Sequence, residues 1–145
     1  MPTFAPFRAW RYAPDVPLDA VLAPPYDVLS PADVAALQGR DPRNIVWVDV
    51  PQGSSSTRYA EAAALLSSWR SAGVLVEDPE PSYTIYRTRF VDATGAARDL
   101  AAVLGALDAG GVAAGVLPHE RTTPKASTDR LDLTRATEAN LSPVW

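Results

Sequence analysis

The chain has 145 residues, of which 47% are apolar and 21% charged, with a net charge of −4 and neither a cysteine nor more than one histidine. That composition excludes a disordered acidic tail, and with no apolar run near ~18 residues it excludes a membrane-spanning helix. The acidic balance disfavours binding to a phosphate backbone, and the missing thiols and second histidine exclude disulfides, thiolate metal sites and a paired-histidine zinc site. The expectation is a folded cytoplasmic protein whose partners are neither nucleic acid nor membrane.

Fourteen prolines, roughly twice the usual ~5%, crowd the first third of the chain and forbid a long helix there. Residues 1–17 alternate prolines with Phe4, Phe7, Trp10 and Tyr12, which predicts an extended strap whose aromatics dock on the body of the protein. Leu18–Leu22 reads as a short strand ended by Pro24 and Pro25. Ser30, Pro31 and Asp33 then supply an N-cap, a first-turn proline and an acid at the third helical position, so a helix of about two turns is expected through Leu37, closing near Gly39.

Asn44 to Val50 is β-branched and apolar on both faces, the pattern of a central strand. From about Thr57 to Ala72 the residues Tyr59, Ala62, Ala63, Leu66 and Trp69 recur at helical spacing, and Arg58, Glu61 and Arg70 can face water; Gly73 is the stop. Tyr83–Val91 and Arg98–Leu107, separated by a loop holding Gly95, predict an antiparallel hairpin. A small-residue strand or turn is expected over Val112–Leu117, and a helix from Asp129 to about Asn140 with Thr128 or Asp129 as its cap. The Val144–Trp145 ending after Pro143 reads as the interior of a strand, so the chain is expected to be a single domain over 1–145 and the N-terminal portion of a longer protein.

The only histidine and the only lysine lie six positions apart, in the stretch from His119 to Arg130 that also holds Glu120, Arg121, Thr122, Thr123 and Asp129. Without an apolar period, residues 119–128 read as a loop running into a helix, where free amides and the positive helix end favour phosphate or carboxylate. In that reading Arg121, Thr122, Lys125 and Arg130 hold phosphate, and His119 or Glu120 moves a proton. In the plainer reading the loop is solvated, Glu120 pairs with Arg121 or Lys125, and Asp129 only caps a helix.

In Ala23-Pro24-Pro25-Tyr26-Asp27-Val28 the two prolines stiffen the backbone ahead of Tyr26 and Asp27. Tyr26 suits a substrate platform and Asp27 a base, although a packed corner explains the same residues. Arg87 and Arg89, two apart on one strand face, read as an exposed face. Gly110, Gly111 and Gly115 match neither a P-loop nor a dinucleotide fingerprint.

The order of Phe4-Ala5-Pro6-Phe7, the Pro24-Pro25-Tyr26-Asp27 turn, Trp69 with Gly73, the strand before Gly95, His119-Glu120-Arg121-Thr122 and Asn140 to Pro143 resembles the prokaryotic family known as domain of unknown function 1015. The family name implies no activity. At the level of fold the chain is similar, more weakly, to the ParB, sulfiredoxin and ADP-dependent serine kinase group. That resemblance implies nucleotide phosphates held ahead of a helix, without sulfiredoxin chemistry, since cysteine is absent.

The expected architecture is α+β, a mixed, mostly antiparallel sheet with two main helices and the proline-rich strap. The expected function is binding of a nucleotide or phosphorylated small molecule, with ADP or ATP and magnesium as cofactor and phosphoryl transfer to a small hydroxyl acceptor as the enzyme form. The rival is a non-catalytic interaction or regulatory module built on Phe4, Phe7 and Trp10.

Overall fold

The computed structural model describes residues 2–54, 57–108, 115–116 and 124–142, with the backbone alone over 124–127. The chain is α+β, with helices α1 (Leu18–Val21), α2 (Pro31–Arg40), α3 (Val46–Asp49), α4 (Arg58–Ser71) and α5 (Pro124–Thr137). Its strands are β1 (Phe4–Ala5), β2 (Trp10–Tyr12), β3 (Leu75–Glu77), β4 (Thr84–Val91), β5 (Ala97–Leu104) and β6 (Ala106–Leu107). Among the described residues they form three two-stranded sheets, β1–β6, β2–β3 and β4–β5, in place of the one mixed sheet expected. The chain divides into two units, one of residues 1–10 with 77–121 and the other of residues 11–76 with 122–145.

The first unit is strand-rich. β4 and β5 pair antiparallel from Thr84 opposite Leu104 to Val91 opposite Ala97, the predicted hairpin. Its turn is set by Asp92, whose Oδ1 accepts from the backbone amides of Thr94 at 2.8 Å and Ala96 at 3.1 Å, and by Gly95 at φ +85°. The strap's Phe4 stacks on Tyr83 with ring centroids 5.5 Å apart. Gly105, between β5 and β6, leaves room for the Phe4 ring, which a Cβ there would meet at 2.5 Å. Arg87 and Arg89 are exposed and both reach Asp99.

The second unit carries the core. Ser30 and Asp33 form a full capping box at the start of α2, as the residue types predict. The helix runs past Gly39 to Arg40. α4 forms where its periodicity places it and buries Ala62, Leu66 and Trp69 against Val48, Leu75 and Leu133. Smaller clusters gather Ala13, Val16 and Val21, and Val34, Leu37 and Val46. Tyr12 lies between the first two clusters; burial, and then the Asp41 charge, push its phenol well above the ordinary range.

Two expected strands are helical. Leu18–Val21 is α1 and Val46–Asp49 is α3. The cause in the second case is Asn44, fully buried at 0% exposure. Its Oδ1 accepts from the Val46 amide at 3.0 Å, which turns the chain at the point where a strand would send that amide to a neighbour. Its Nδ2 donates to the Ala20 and Leu22 carbonyls at 2.8 and 3.2 Å, and the Ile45 amide donates to Val21. Val46 and Val48 are buried while Trp47 between them is 37% exposed, so the segment is a one-turn helix with one side outward and not a strand buried on both faces.

α5 begins at Pro124, four or five residues before the expected cap at Thr128 or Asp129. Lys125 and Thr128 therefore stand on a helix and not on a loop, and Asp129 lies inside the helix and caps nothing. The missed signal is Pro124 itself, a residue favoured in the first helical turn. The expected strand at Val112–Leu117 falls almost wholly outside the described residues, as does the chain end at Val144–Trp145.

Candidate functional site

Tyr26 and Asp27 lie on a 3-10 turn, Tyr26–Val28, entered from the rigid Pro24–Pro25 pair. Asp27 is exposed and has no hydrogen-bond or ion-pair partner among the described residues. Tyr26 is half-buried, and the Arg130 guanidinium lies over its ring at 4.1 Å from the centroid. Two segments that the sequence singled out separately, the Pro-Pro-Tyr-Asp turn and the helix after the His119 window, therefore meet through this pair. Beside the same turn an open depression of about 370 Å³ lies between Pro24, Val28 and Leu29 and, from α2, Asp33, Leu37 and Arg40.

Arg130 is held at every edge. Nη1 donates to Asp49 Oδ1 at 3.0 Å and Nη2 to the Asp49 carbonyl at 2.9 Å, while Nε and Nη2 reach Asp129 Oδ2 at 3.2 and 2.9 Å. Arg130, expected as a phosphate contact, faces two carboxylates of its own chain, Asp49 and Asp129. Asp129, expected against substrate, is likewise engaged, accepting from Tyr59 Oη at 2.7 Å and Arg58 Nη2 at 2.8 Å. Arg58 also donates to the Tyr59 oxygen, so of the α4 cations expected to face water this one turns to α5.

Summed over Arg58, Arg130, Asp49 and Asp129, the cluster carries no net charge. Burial pushes the Asp49 carboxyl above its ordinary range, against the opposing Arg130 charge and hydrogen bonds from Arg130 and Ser142. For Asp129 burial acts in the same direction but is outweighed by hydrogen bonds from Tyr59 and Arg130 and by both arginine charges, so it stays below the usual range. The two carboxylates thus titrate apart, Asp49 first as pH falls.

His119, Glu120, Arg121 and Thr122 lie outside the described residues, as does the Lys125 side chain, although the Lys125 backbone stands in the first turn of α5. Among the described residues no group of three histidine or acidic side chains could hold a metal, and no helix is long and apolar enough to cross a membrane.

The sequence reading missed Asp49, Arg58 and Tyr59. Arg58 meets Asp129 across 71 positions and Arg130 meets Asp49 across 81, separations that leave no local pattern. One signal was available, an aspartate closing the apolar run Ile45–Val48, since a buried carboxylate needs a cationic partner.

A family model described as a protein of unknown function, DUF1015, matches residues 4–145. No curated protein and no solved structure matches the chain.

Proposed function

The chain belongs to this DUF1015 family of unknown function, and we propose that it binds a nucleotide or another phosphorylated small molecule at the start of α5, beside the Tyr26–Asp27 turn. The observation that carries the reading is the contact of Arg130 of α5 with Tyr26, whose sequence neighbour Asp27 is exposed and has no partner among the described residues. Lys125, with Arg121 and Thr122 just upstream in the chain, supplies the charge and donors for phosphate, and Arg130, held by Asp49 and Asp129, orders the site. The amides at the helix start favour the same anion.

In its enzymic form the site transfers a phosphoryl group to a small hydroxyl acceptor. Asp27 or Glu120 orients or deprotonates the acceptor, His119 hydrogen-bonds phosphate or carries a proton, and magnesium enters with ADP or ATP. Positioning and charge stabilisation supply most of the rate in such reactions. A second reading, a non-catalytic regulatory module, draws support from the internal neutralisation of the Arg58–Asp129–Arg130–Asp49 cluster, which a purely structural clamp would also require.

Isothermal titration of the full chain with ADP, ATP and pyrophosphate, with and without magnesium, tests the proposal. Binding is expected to be lost in Lys125→Ala and His119→Ala with unchanged circular dichroism. Asp27→Ala should leave pyrophosphate affinity intact and remove any transfer activity. Absence of binding to all three compounds would sink the phosphate reading.

A further inference from the structure

Asp49 reaches no part of the proposed ligand site, and still it is among the most enclosed charged groups of the second unit at 7% exposure. It closes α3, the short helix that Asn44 turns away from a strand, so its place follows from that turn. From there it grips Arg130 twice, by carboxylate at 3.0 Å and by carbonyl at 2.9 Å. Asp129 holds the guanidinium along another edge, and the Tyr26 ring covers its face. A long arginine chain otherwise loses rotamer freedom when ordered, and these bonds offset that cost before any ligand arrives. Tyr26 and Asp27 share one 3-10 turn, so whatever fixes the ring fixes the backbone that carries the free carboxylate.

We propose that Asp49 is a positioning residue: acting through Arg130, it holds the Tyr26–Val28 turn against α5 and so sets where the Asp27 carboxylate stands. The inference rests on reading Asp27 and the start of α5 as one ligand site. The groups facing Asp49 and Arg130 are Asp129 from α5, Arg58 and Tyr59 from α4, and the Ser142 hydroxyl. With Asp49 neutral, two arginines face a single carboxylate, and the restraint on Arg130 loosens. Because burial raises the Asp49 carboxyl while Asp129 is lowered, the loosening begins with Asp49 as pH falls.

Nuclear magnetic resonance of the full chain reads this directly. In the wild type the Arg130 Hδ protons are shifted upfield by the Tyr26 ring current, and that shift changes with an inflection above the ordinary carboxylate range, as Asp49 is protonated. Asp49→Ala abolishes the ring-current shift, while Asp49→Asn, which keeps an oxygen acceptor for Nη1, restores most of it but removes the inflection. A side chain that mattered only as packing would give no such pH profile. Should Asp49→Ala not fold, Tyr26→Leu and the wild-type titration still decide: an Arg130 shift unchanged by Tyr26→Leu, or an inflection that survives in Asp49→Asn, overturns the proposal.

A parallel titration with pyrophosphate and ADP separates the two ideas. By analogy with the outer partners of metal ligands, affinity for ADP should fall about tenfold in Asp49→Ala and recover in Asp49→Asn. Wild-type protein that binds neither compound refutes the phosphate reading, and the resonance arm then judges the positioning of the turn on its own. Wild-type binding that Asp49→Ala leaves unchanged refutes the role of Asp49 while sparing the site.

Discussion

Replacing Asn44 by alanine tests why residues 44–50 form a helix and not a strand. The side chain makes three hydrogen bonds, two donated to the Ala20 and Leu22 carbonyls and one accepted from the Val46 amide. Val46 is fully buried, so its amide would be left without a partner at a cost of about 1–3 kcal/mol. Ala20 is half-buried and Leu22 exposed, so their carbonyls can regain water and each loss is nearer ~0.5–1 kcal/mol. The sum, roughly 2–5 kcal/mol, is a large share of the ~5–15 kcal/mol that holds a domain folded.

Urea unfolding followed by tryptophan fluorescence reads this loss. With a slope of about 2 kcal/mol per molar the midpoint should fall by about 1–2.5 M, the slope itself unchanged. Asn44→Asp separates the two roles, since it keeps the acceptor for Val46 but aims a carboxylate oxygen at two carbonyls, and should destabilise at least as much. A midpoint within about 0.3 M of wild type for Asn44→Ala, less than one neutral hydrogen bond, would show that the apolar residues alone choose the helix.

Trp69, 5% exposed and packed with Tyr12 at a ring separation of 6.3 Å, belongs to the largest core cluster. Trp69→Ala should cost about 3–5 kcal/mol, and a calorimetric melt that shifts by only a degree or two would contradict the core assignment. In the hairpin turn, hydrogen bonds from Thr94 and then Arg98 lower the Asp92 carboxyl to about 2. Its folded value lies below the unfolded ~3.9, so the stability it contributes is complete above that value and lost as pH falls toward the folded one. The Thr94 and Ala96 amide resonances should therefore titrate with a midpoint near about 2, and Asp92→Asn should remove the transition; a midpoint at the ordinary aspartate value would refute the turn geometry.

Local chemistry was enough for the capping box at Ser30 and Asp33, the amphipathic span of α4 and the hairpin on either side of Gly95. Each is decided by residues within a turn or a strand pair of one another, and there the residue types permit one conformation. Leu18–Val21 and Val46–Asp49 could not be read the same way, because short apolar runs fit helix and strand equally and the choice fell to the side chain of Asn44, reaching back 22 and 24 residues. The candidate site divides likewise. Tyr26, Asp27 and Lys125 stand out by type and neighbours, but whether an arginine serves a ligand or its own chain depends on which carboxylate lies opposite. For Arg130 that carboxylate is Asp49, 81 positions away, and only the folding of α3 beside α5 brings it there, because a buried charge must be answered wherever the chain can supply its opposite.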